Sequence, residues 1–336
     1  MVSVMFKFLI APKFWRERNS KIAKCLSPFS KIFSLYSDFR SSCSHPTKAD
    51  VPVICVGNAV LGGAGKTPTV EYICNLLKEH KMKPHILTSG YGGYLKNVVR
   101  VDPAMHSYLQ VGDEALLSAA VTTTWVGKNR TNSSKAAVIA GADMLVMDDG
   151  FQNNSIHKDL KILVVDSKQA FGNEYVFPAG PLREGVEISV EKSDIVIVIG
   201  DKNEELEKRI ADVVPSMKIC RAKMIPTYPD IETEKIIGFC GIGFPDKFKK
   251  TLLDSSYYLL DFIVFSDHHP YTITEVQKLI DAAKKAGATL VTTTKDYIKI
   301  PEVFRSYIKV IPIKLKFEDA GFDDEILSLT NQTING

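Results

Sequence analysis

Val51-Pro-Val-Ile-Cys-Val-Gly-Asn-Ala-Val-Leu-Gly-Gly-Ala-Gly-Lys-Thr67 is the stretch on which the reading of the fold turns. Residues 51–56 are a short apolar run rich in β-branched side chains, which predicts a buried strand. The turn Gly62-Gly63-Ala64-Gly65-Lys66-Thr67 follows it. A helix is then predicted from about Pro68 to His80, with Val70, Ile73, Cys74 and Leu77 at helical spacing. Strand, glycine turn ending in Gly-Lys-Thr, and helix together are the context of a phosphate-binding loop. Glycines let successive backbone N–H groups turn inward around an anion, and the helix N-terminus adds its positive dipole end. Lys66 is placed to reach the β- and γ-phosphates of a nucleotide and Thr67 to ligate Mg²⁺. Val60 stands where the strict motif has its first glycine.

Working outward, Met144-Leu-Val-Met-Asp148-Asp149 is an apolar strand that delivers two carboxylates to its C-terminal end. Beside a phosphate loop, either Asp148 or Asp149 can hold Mg²⁺, directly or through water. Further strands are predicted at 85–89, 162–165 and 195–199, with helical pattern at 114–121 and 133–141. Alternating strand and helix predicts a mostly parallel sheet covered on both faces. A second α/β region opens near Lys235. It holds a strand near 259–265, a helix started by the capping pattern Thr272-x-x-Glu275 and stopped by Gly287, and a strand at 289–293. The runs 218–225 and 309–317 are expected to pair as a ribbon joining the two regions. The fold class is therefore α/β. A P-loop NTPase-like α/β/α domain on a mostly parallel sheet occupies 46–225, and a smaller C-terminal α/β/α domain at 226–320 closes over the cleft. Residues 321–336 are expected to be a tail, disordered over its last few residues.

Composition narrows the partners. The 336 residues carry a net charge of +3, too mild to imply nucleic acid. The charge is uneven, because residues 1–45 hold eight basic and two acidic side chains. In that segment Val2, Met5, Phe6 and Leu9, and after Pro12 Ile22, Leu26, Phe29, Phe33 and Tyr36, fall on one helical face, with Pro28 a possible kink. Basic residues around an apolar face suit a helix lying in the headgroup region of an anionic membrane, though an amphipathic helix docked on the protein's own core has the same pattern. No apolar run is long enough to span a bilayer, and the N-terminus lacks the marks of a signal peptide. Six scattered cysteines, Cys25, Cys43, Cys55, Cys74, Cys220 and Cys240, form no C-x-x-C pair and read as free thiols in a reducing compartment.

The motifs GNAVLGGAGKTP, GDEALL, DDGFQ, PAGPLRE, FSDHH and TTTKDYIKI occur in that order between about residues 50 and 320. Together they resemble the tetraacyldisaccharide 4'-kinases of lipid A synthesis. DDGFQ with PAGPLRE carries most of the specificity. The resemblance implies two α/β/α domains, ATP and Mg²⁺, and a tetraacylated glucosamine disaccharide 1-phosphate as acceptor. It also implies a peripheral place at the cytoplasmic face of the inner membrane of a Gram-negative bacterium.

The same resemblance implies roles by position. Asp113 in GDE looks like the catalytic carboxylate, which accepts the proton of the acceptor hydroxyl as the O–P bond forms. On residue type alone, an N-cap for the helix from Glu114 is as natural. His268 looks like the histidine that assists it across the cleft, with His269 an adjacent rival. Arg183 looks like the arginine that steadies charge on the transferring phosphoryl group, although a surface pair with Glu184 is the ordinary alternative. Tyr91, Gln152 and Asn153 fall on the acceptor side. Ser89 stands where the family has arginine, and Asn153 where it has histidine. Two rival functions stay open at this level: a P-loop kinase of a soluble metabolite, and a membrane-associated ATPase acting on a protein partner. No NKxD motif supports a GTPase.

Overall fold

The computed structural model describes residues 12–42, 45–231, 233–318 and 321–334, without the side chains of 36–42 and 330–334. The chain first lays down β1 (Val53–Gly57), β2 (Pro84–Thr88), β3 (Val99–Arg100), β4 (Thr124–Val126), β5 (Met144–Asp148), β6 (Leu160–Asp166), β7 (Ile195–Ile199) and β8 (Lys218–Pro226). It then builds a second sheet from β9 (Lys235–Cys240), β10 (Tyr258–Val264), β11 (Thr289–Thr293) and β12 (Ile308–Ile311), and returns to the first with β13 (Ile313–Phe317). The larger sheet has the order β13-β8-β7-β6-β1-β5-β2-β4-β3, and the smaller one β10-β9-β11-β12. Both are parallel except at the outer pairs β13–β8 and β3–β4.

The parallel strands are buried on both faces, which is why they read as continuous apolar runs rather than as alternation. In β1, Ile54 and Val56 face one core with Val70, Ile73 and Leu77 of the helix Lys66–Glu79. Val53 and Cys55 face the other with Leu145, Met147, Leu163 and Leu182. Cys55, Cys74, Cys220 and Cys240 are buried free thiols and Cys25 is exposed. Burial pushes the Cys55 thiol up to about 11. Cys43 lies outside the described residues.

Several elements depart from the sequence expectations. The 218–226 strand does pair antiparallel with 313–317, but as the outer edge of the main sheet, and 308–311 belongs to the second sheet. Strands β3 and β4 are too short to carry a readable pattern. The stretch expected to be a tail contains the helix Gly321–Ile334. Its Phe322, Ile326 and Leu329 recur at helical spacing and enter the core beside the phosphate-loop helix. Residues 335–336 lie outside the described residues.

The helix Lys21–Ser42 runs through Pro28. Its inner face docks on the 175–180 loop. Ser30 Oγ donates to the Val176 carbonyl at 2.6 Å and accepts from Ala179 N at 3.2 Å, and Phe33 meets Phe177 edge-on. The expected face is thereby divided. Phe33 turns inward, Ile22 and Phe29 turn out to solvent, and the side chain of Tyr36 lies outside the described set, as do Val2, Met5, Phe6 and Leu9.

The C-terminal helix is a structural part of the kinase-like domain and not an appendage. Phe322 is fully buried, stacked on Phe317 with centroids 4.2 Å apart and lying beside Tyr72. Phe322→Ala should therefore lower unfolding free energy by about 3–5 kcal/mol in urea denaturation. A loss below about 1 kcal/mol would mean that the helix packs only loosely.

Candidate active site

The site is assembled at the C-terminal ends of the strands, where open parallel sheets bind ligands. The loop after β1 opens into the helix Lys66–Glu79 with Gly65 as its N-cap residue. Gly62 and Gly65 have φ of +119° and +100°. At Gly65 a Cβ would come within 2.6 Å of Ile199 Cδ1, so glycine is required there for both conformation and space. Asn58 stitches the loop from below. Its Nδ2 donates to the carbonyls of Val60 at 2.8 Å and Gly62 at 3.1 Å, and its Oδ1 accepts from Lys66 Nζ at 3.0 Å. Val60, at the missing glycine position, is not among the residues with positive φ, so its backbone does not call for glycine.

The PAGPLRE segment runs alongside this loop. Leu61 N donates to Pro181 O at 2.7 Å and Arg183 N to Ala59 O at 2.8 Å. That pairing carries Arg183 to Asp149, which it grips with Nη1–Oδ1 2.9 Å and Nη2–Oδ2 3.1 Å. The ordinary pair with Glu184 does not form. Glu184 instead binds Lys192 at 2.6 Å, and Gln152 bridges Arg183 and Glu184. Phe151 of DDGFQ is buried against Gly57, where any Cβ would meet its ring at 2.6 Å. Lys158 Nζ ties down the same turn through the carbonyls of Gly150 at 2.7 Å and Phe151 at 3.0 Å.

The two carboxylates after β5 have opposite electrostatics. Burial raises the Asp149 carboxyl, but Arg183 and Lys66 outweigh it and hold the group down at about 2. Asp148 is 2% exposed, and neither of its oxygens has a hydrogen-bond partner. Burial and the neighbouring Glu114 and Asp149 push it up to about 7. A buried carboxylate with no partner is costly unless a cation completes it. Asp148 also feels Lys66 of the phosphate loop, and with the hydroxyl of the next residue, Thr67, it supplies the oxygen donors that Mg²⁺ prefers.

Across the cleft, Asp113 is the first residue of the helix Asp113–Val121, 4% exposed. Its Oδ1 accepts from Glu114 N at 2.9 Å, but the N-cap position is held by Gly112 and not by Asp113. Its Oδ2 lies 2.6 Å from His268 Nδ1, on the second domain. Burial raises the Asp113 carboxyl, yet the His268 hydrogen bond with Lys295 and Lys299 keeps it at about 2. His268 has φ +58°, uncommon for a non-glycine residue and concentrated at functional sites. The neighbouring His269 faces away. It meets Glu275 at 3.2 Å and stacks on Phe265. Tyr91 lies edge-on to His268, centroids 6.0 Å apart.

Gln152 and Asn153 both make contacts within the protein. Gln152 is engaged with Arg183 and Glu184. Asn153 Oδ1 closes a turn onto Ser155 N at 3.1 Å and Ser155 Oγ at 2.7 Å, so it shapes the DDGFQ loop. Ser89 is exposed after β2. Asn58 and Lys295 lie inside the motifs quoted above, but residue type alone shows no role for them. Lys158 had no motif to flag it. Each acts through a partner that the sequence does not reveal.

Fold and site together define a P-loop protein of the phosphoryl-transfer class. A family model described as Tetraacyldisaccharide-1-P 4'-kinase matches residues 22–331, and the chain belongs to that family. Among curated relatives, the tetraacyldisaccharide 4'-kinase of Gluconobacter oxydans is 40% identical over 323 residues, covering 95% of this chain and 97% of that one. The enzyme of the same name from Rhodospirillum centenum is 37% identical over 326 residues, covering 95% and 96%. A crystal structure of LpxK from Aquifex aeolicus in complex with ATP has the same fold, with a TM-score of 0.71 at 24% identity, covering 93% of this chain and 99% of that one.

The orphaned Asp148 carboxylate generates a stability prediction. Its pKa in the fold, about 7, lies above its unfolded value. Such a group contributes stability below about pH 4 and loses it as pH rises through about 7. Metal-free Asp148→Asn should therefore melt several degrees above the parent near pH 8, with the difference closing toward pH 5. Equal melting curves at both pH values would mean that Asp148 is solvated or already paired.

Proposed function

We propose that the protein transfers the γ-phosphoryl group of ATP to the 4'-hydroxyl of a tetraacylated glucosamine disaccharide 1-phosphate. The observation that carries this reading is the junction of a phosphate loop, a partnerless buried carboxylate and a cross-domain Asp–His pair at one sheet edge. Family membership supplies the substrate class.

The backbone amides of Gly62, Gly63, Ala64, Gly65, Lys66 and Thr67 cradle the β- and γ-phosphates, and the Lys66 ammonium leaves Asn58 to neutralise them. Thr67 and Asp148 would hold Mg²⁺, with Asp149 behind them, and the ion would supply charge neutralisation between the phosphates. Arg183, already aligned by Asp149, stands beside the loop to meet charge on the transferring group. Asp113 receives the acceptor hydroxyl. The bond from the γ-phosphorus to the bridging oxygen of ADP breaks as the 4'-oxygen bond forms, and the hydroxyl proton passes to Asp113. A carboxylate held at about 2 is ionised at every working pH but is a weak base. That suits a loose transition state, in which the proton leaves late and orientation matters most. Tyr91 lines the acceptor side of the same cleft.

Turnover of γ-labelled ATP with the purified disaccharide 1-phosphate tests this reading. Labelled lipid is expected. ATP consumption without labelled lipid favours the ATPase alternative, and labelled soluble sugars favour the metabolite kinase. Lys66→Ala should remove nearly all turnover with the fold intact. Asp113→Ala should depress kcat at least about 100-fold while leaving KM for ATP within a few-fold, as expected for a group acting in the transition state. If Asp113 were only a cap, the variant would melt lower with kcat nearly unchanged.

The N-terminal helix supports a peripheral place at an anionic membrane, proposed here as the cytoplasmic face of the inner membrane. Among the described residues no helix is long and apolar enough to cross a membrane. Ile22, Phe29, Ile32 and Leu35 are each more than half exposed, and Lys21, Lys24 and Lys31 flank them. With the inner face of the helix already docked, this outer stripe is free to enter headgroups. Phe29→Asp/Ile32→Asp should weaken sedimentation with anionic vesicles and raise KM for the glycolipid more than for ATP, with unchanged melting. Vesicle binding equal to that of the parent at low salt would place the anchor elsewhere.

A further inference from the structure

We propose that Lys295 is a positioning residue for the Asp113–His268 pair, donating to His268 Nε2 so that the imidazole keeps its proton on Nδ1 and offers it to Asp113. This rests on the reading of Asp113 as the hydroxyl acceptor given above.

Lys295 sits on the helical turn Thr294–Tyr297 directly after β11. That turn is anchored from inside. Asp296 is fully buried, accepts from Tyr271 OH at 3.0 Å and Thr293 Oγ1 at 2.7 Å, and pairs with the buried Lys299 at 2.9 Å. The backbone at Lys295 is therefore fixed by a satisfied polar network, the kind that holds a functional group in one geometry. From it, Nζ reaches His268 Nε2 at 3.4 Å and Glu114 Oε1 at 3.4 Å.

An ammonium has donors and no acceptor. Its approach to Nε2 is favourable only if that nitrogen presents its lone pair. The ring proton must then be on Nδ1, the nitrogen 2.6 Å from Asp113 Oδ2. One contact thus fixes the tautomer used in the other, as an outer hydrogen bond does for a metal-bound or catalytic histidine. At Nε2 the Lys295 ammonium, at 3.4 Å, is nearer than the competing Asp267 Oδ2, at 3.9 Å and beyond hydrogen-bond reach. His268 is faced by Asp113 and Glu114 from the first domain and by Asp267 and Lys295 from the second, with Tyr91 edge-on. Burial alone would lower the Lys295 ammonium, but Glu114, Asp113 and Asp267 hold it above its ordinary value, so it stays a donor. Lys295 is also a main cation opposing the burial of Asp113. Tyr108 and Lys299 are the remaining titratable groups that couple to that carboxylate.

The experiment uses the full chain with ATP and the glycolipid. Lys295→Met should lower kcat near neutral pH about 10- to 100-fold, the range seen when an orienting partner is lost, with KM for ATP within about twofold. Without Lys295, burial of Asp113 is opposed mainly by His268. The Asp113 carboxyl, held low in the parent, should then titrate higher, and the acid limb of the kcat profile should move up with it. Lys295→Arg should restore most of kcat and return the limb. A lower melting temperature with an unmoved limb overturns the proposal, as does an unchanged kcat. A kcat for Asp113→Ala within about tenfold of the parent would instead remove the reading on which the proposal rests. The parent protein gives a second readout that needs no variant to fold. In ¹⁵N-histidine NMR, the resonance lost in His268→Gln should show a protonated Nδ1 and a bare Nε2. A proton on Nε2 overturns the proposal.

Discussion

The contact between Asp113 and His268 holds the functional architecture together. The two residues are 155 positions apart, one opening the helix Asp113–Val121 and the other in the turn after β10, and their side chains meet at 2.6 Å. A carboxylate on the phosphate-loop domain is completed by an imidazole from the other domain. Neither domain alone has the site. The second domain is held in place by further contacts, including Lys247 with Asp166 at the end of β6 and Phe244 lying 3.5 Å from where a Gly62 Cβ would project. The region of the second sheet thus touches the phosphate loop through Phe244 and reaches Asp113 through His268.

Three carboxylates within this cleft illustrate how burial is made useful. Asp113 and Asp149 are both kept ionised, one by an imidazole and lysines, the other by a bidentate arginine. Asp148 is left with no partner and its proton affinity rises accordingly. The pattern separates the three: Asp113 is paired with an imidazole across the cleft, Asp149 aligns Arg183, and Asp148 has no hydrogen-bond partner.

Much of the fold was legible because the determining signals are local. The strand–glycine–helix unit at 51–80, the strand ending in Asp148, and the capped helix at Thr272–Gly287 each declare themselves within a few residues. The resemblance of the ordered motifs also pointed to Asp113, His268 and Arg183 together. What stayed hidden depends on distant pairing. Glu184 was the neighbour offered for Arg183, yet the guanidinium goes to Asp149, 34 positions away. The stitching roles of Asn58 and Lys158 depend on carbonyl directions that no residue type encodes. The local turn that Asn153 closes onto Ser155 likewise does not show in residue type alone. The helix Gly321–Ile334 carried its signal in Phe322, Ile326 and Leu329, diluted by surrounding polar residues.

The central claim is that Asp113 and His268 act as one unit joined across the domains. A double-mutant cycle on kcat measures this directly, using Asp113→Ala, His268→Ala and the double variant on the glycolipid substrate. The account predicts strong non-additivity, with the double variant little slower than Asp113→Ala alone. Independent effects, in which the two single losses multiply in the double variant, would contradict it.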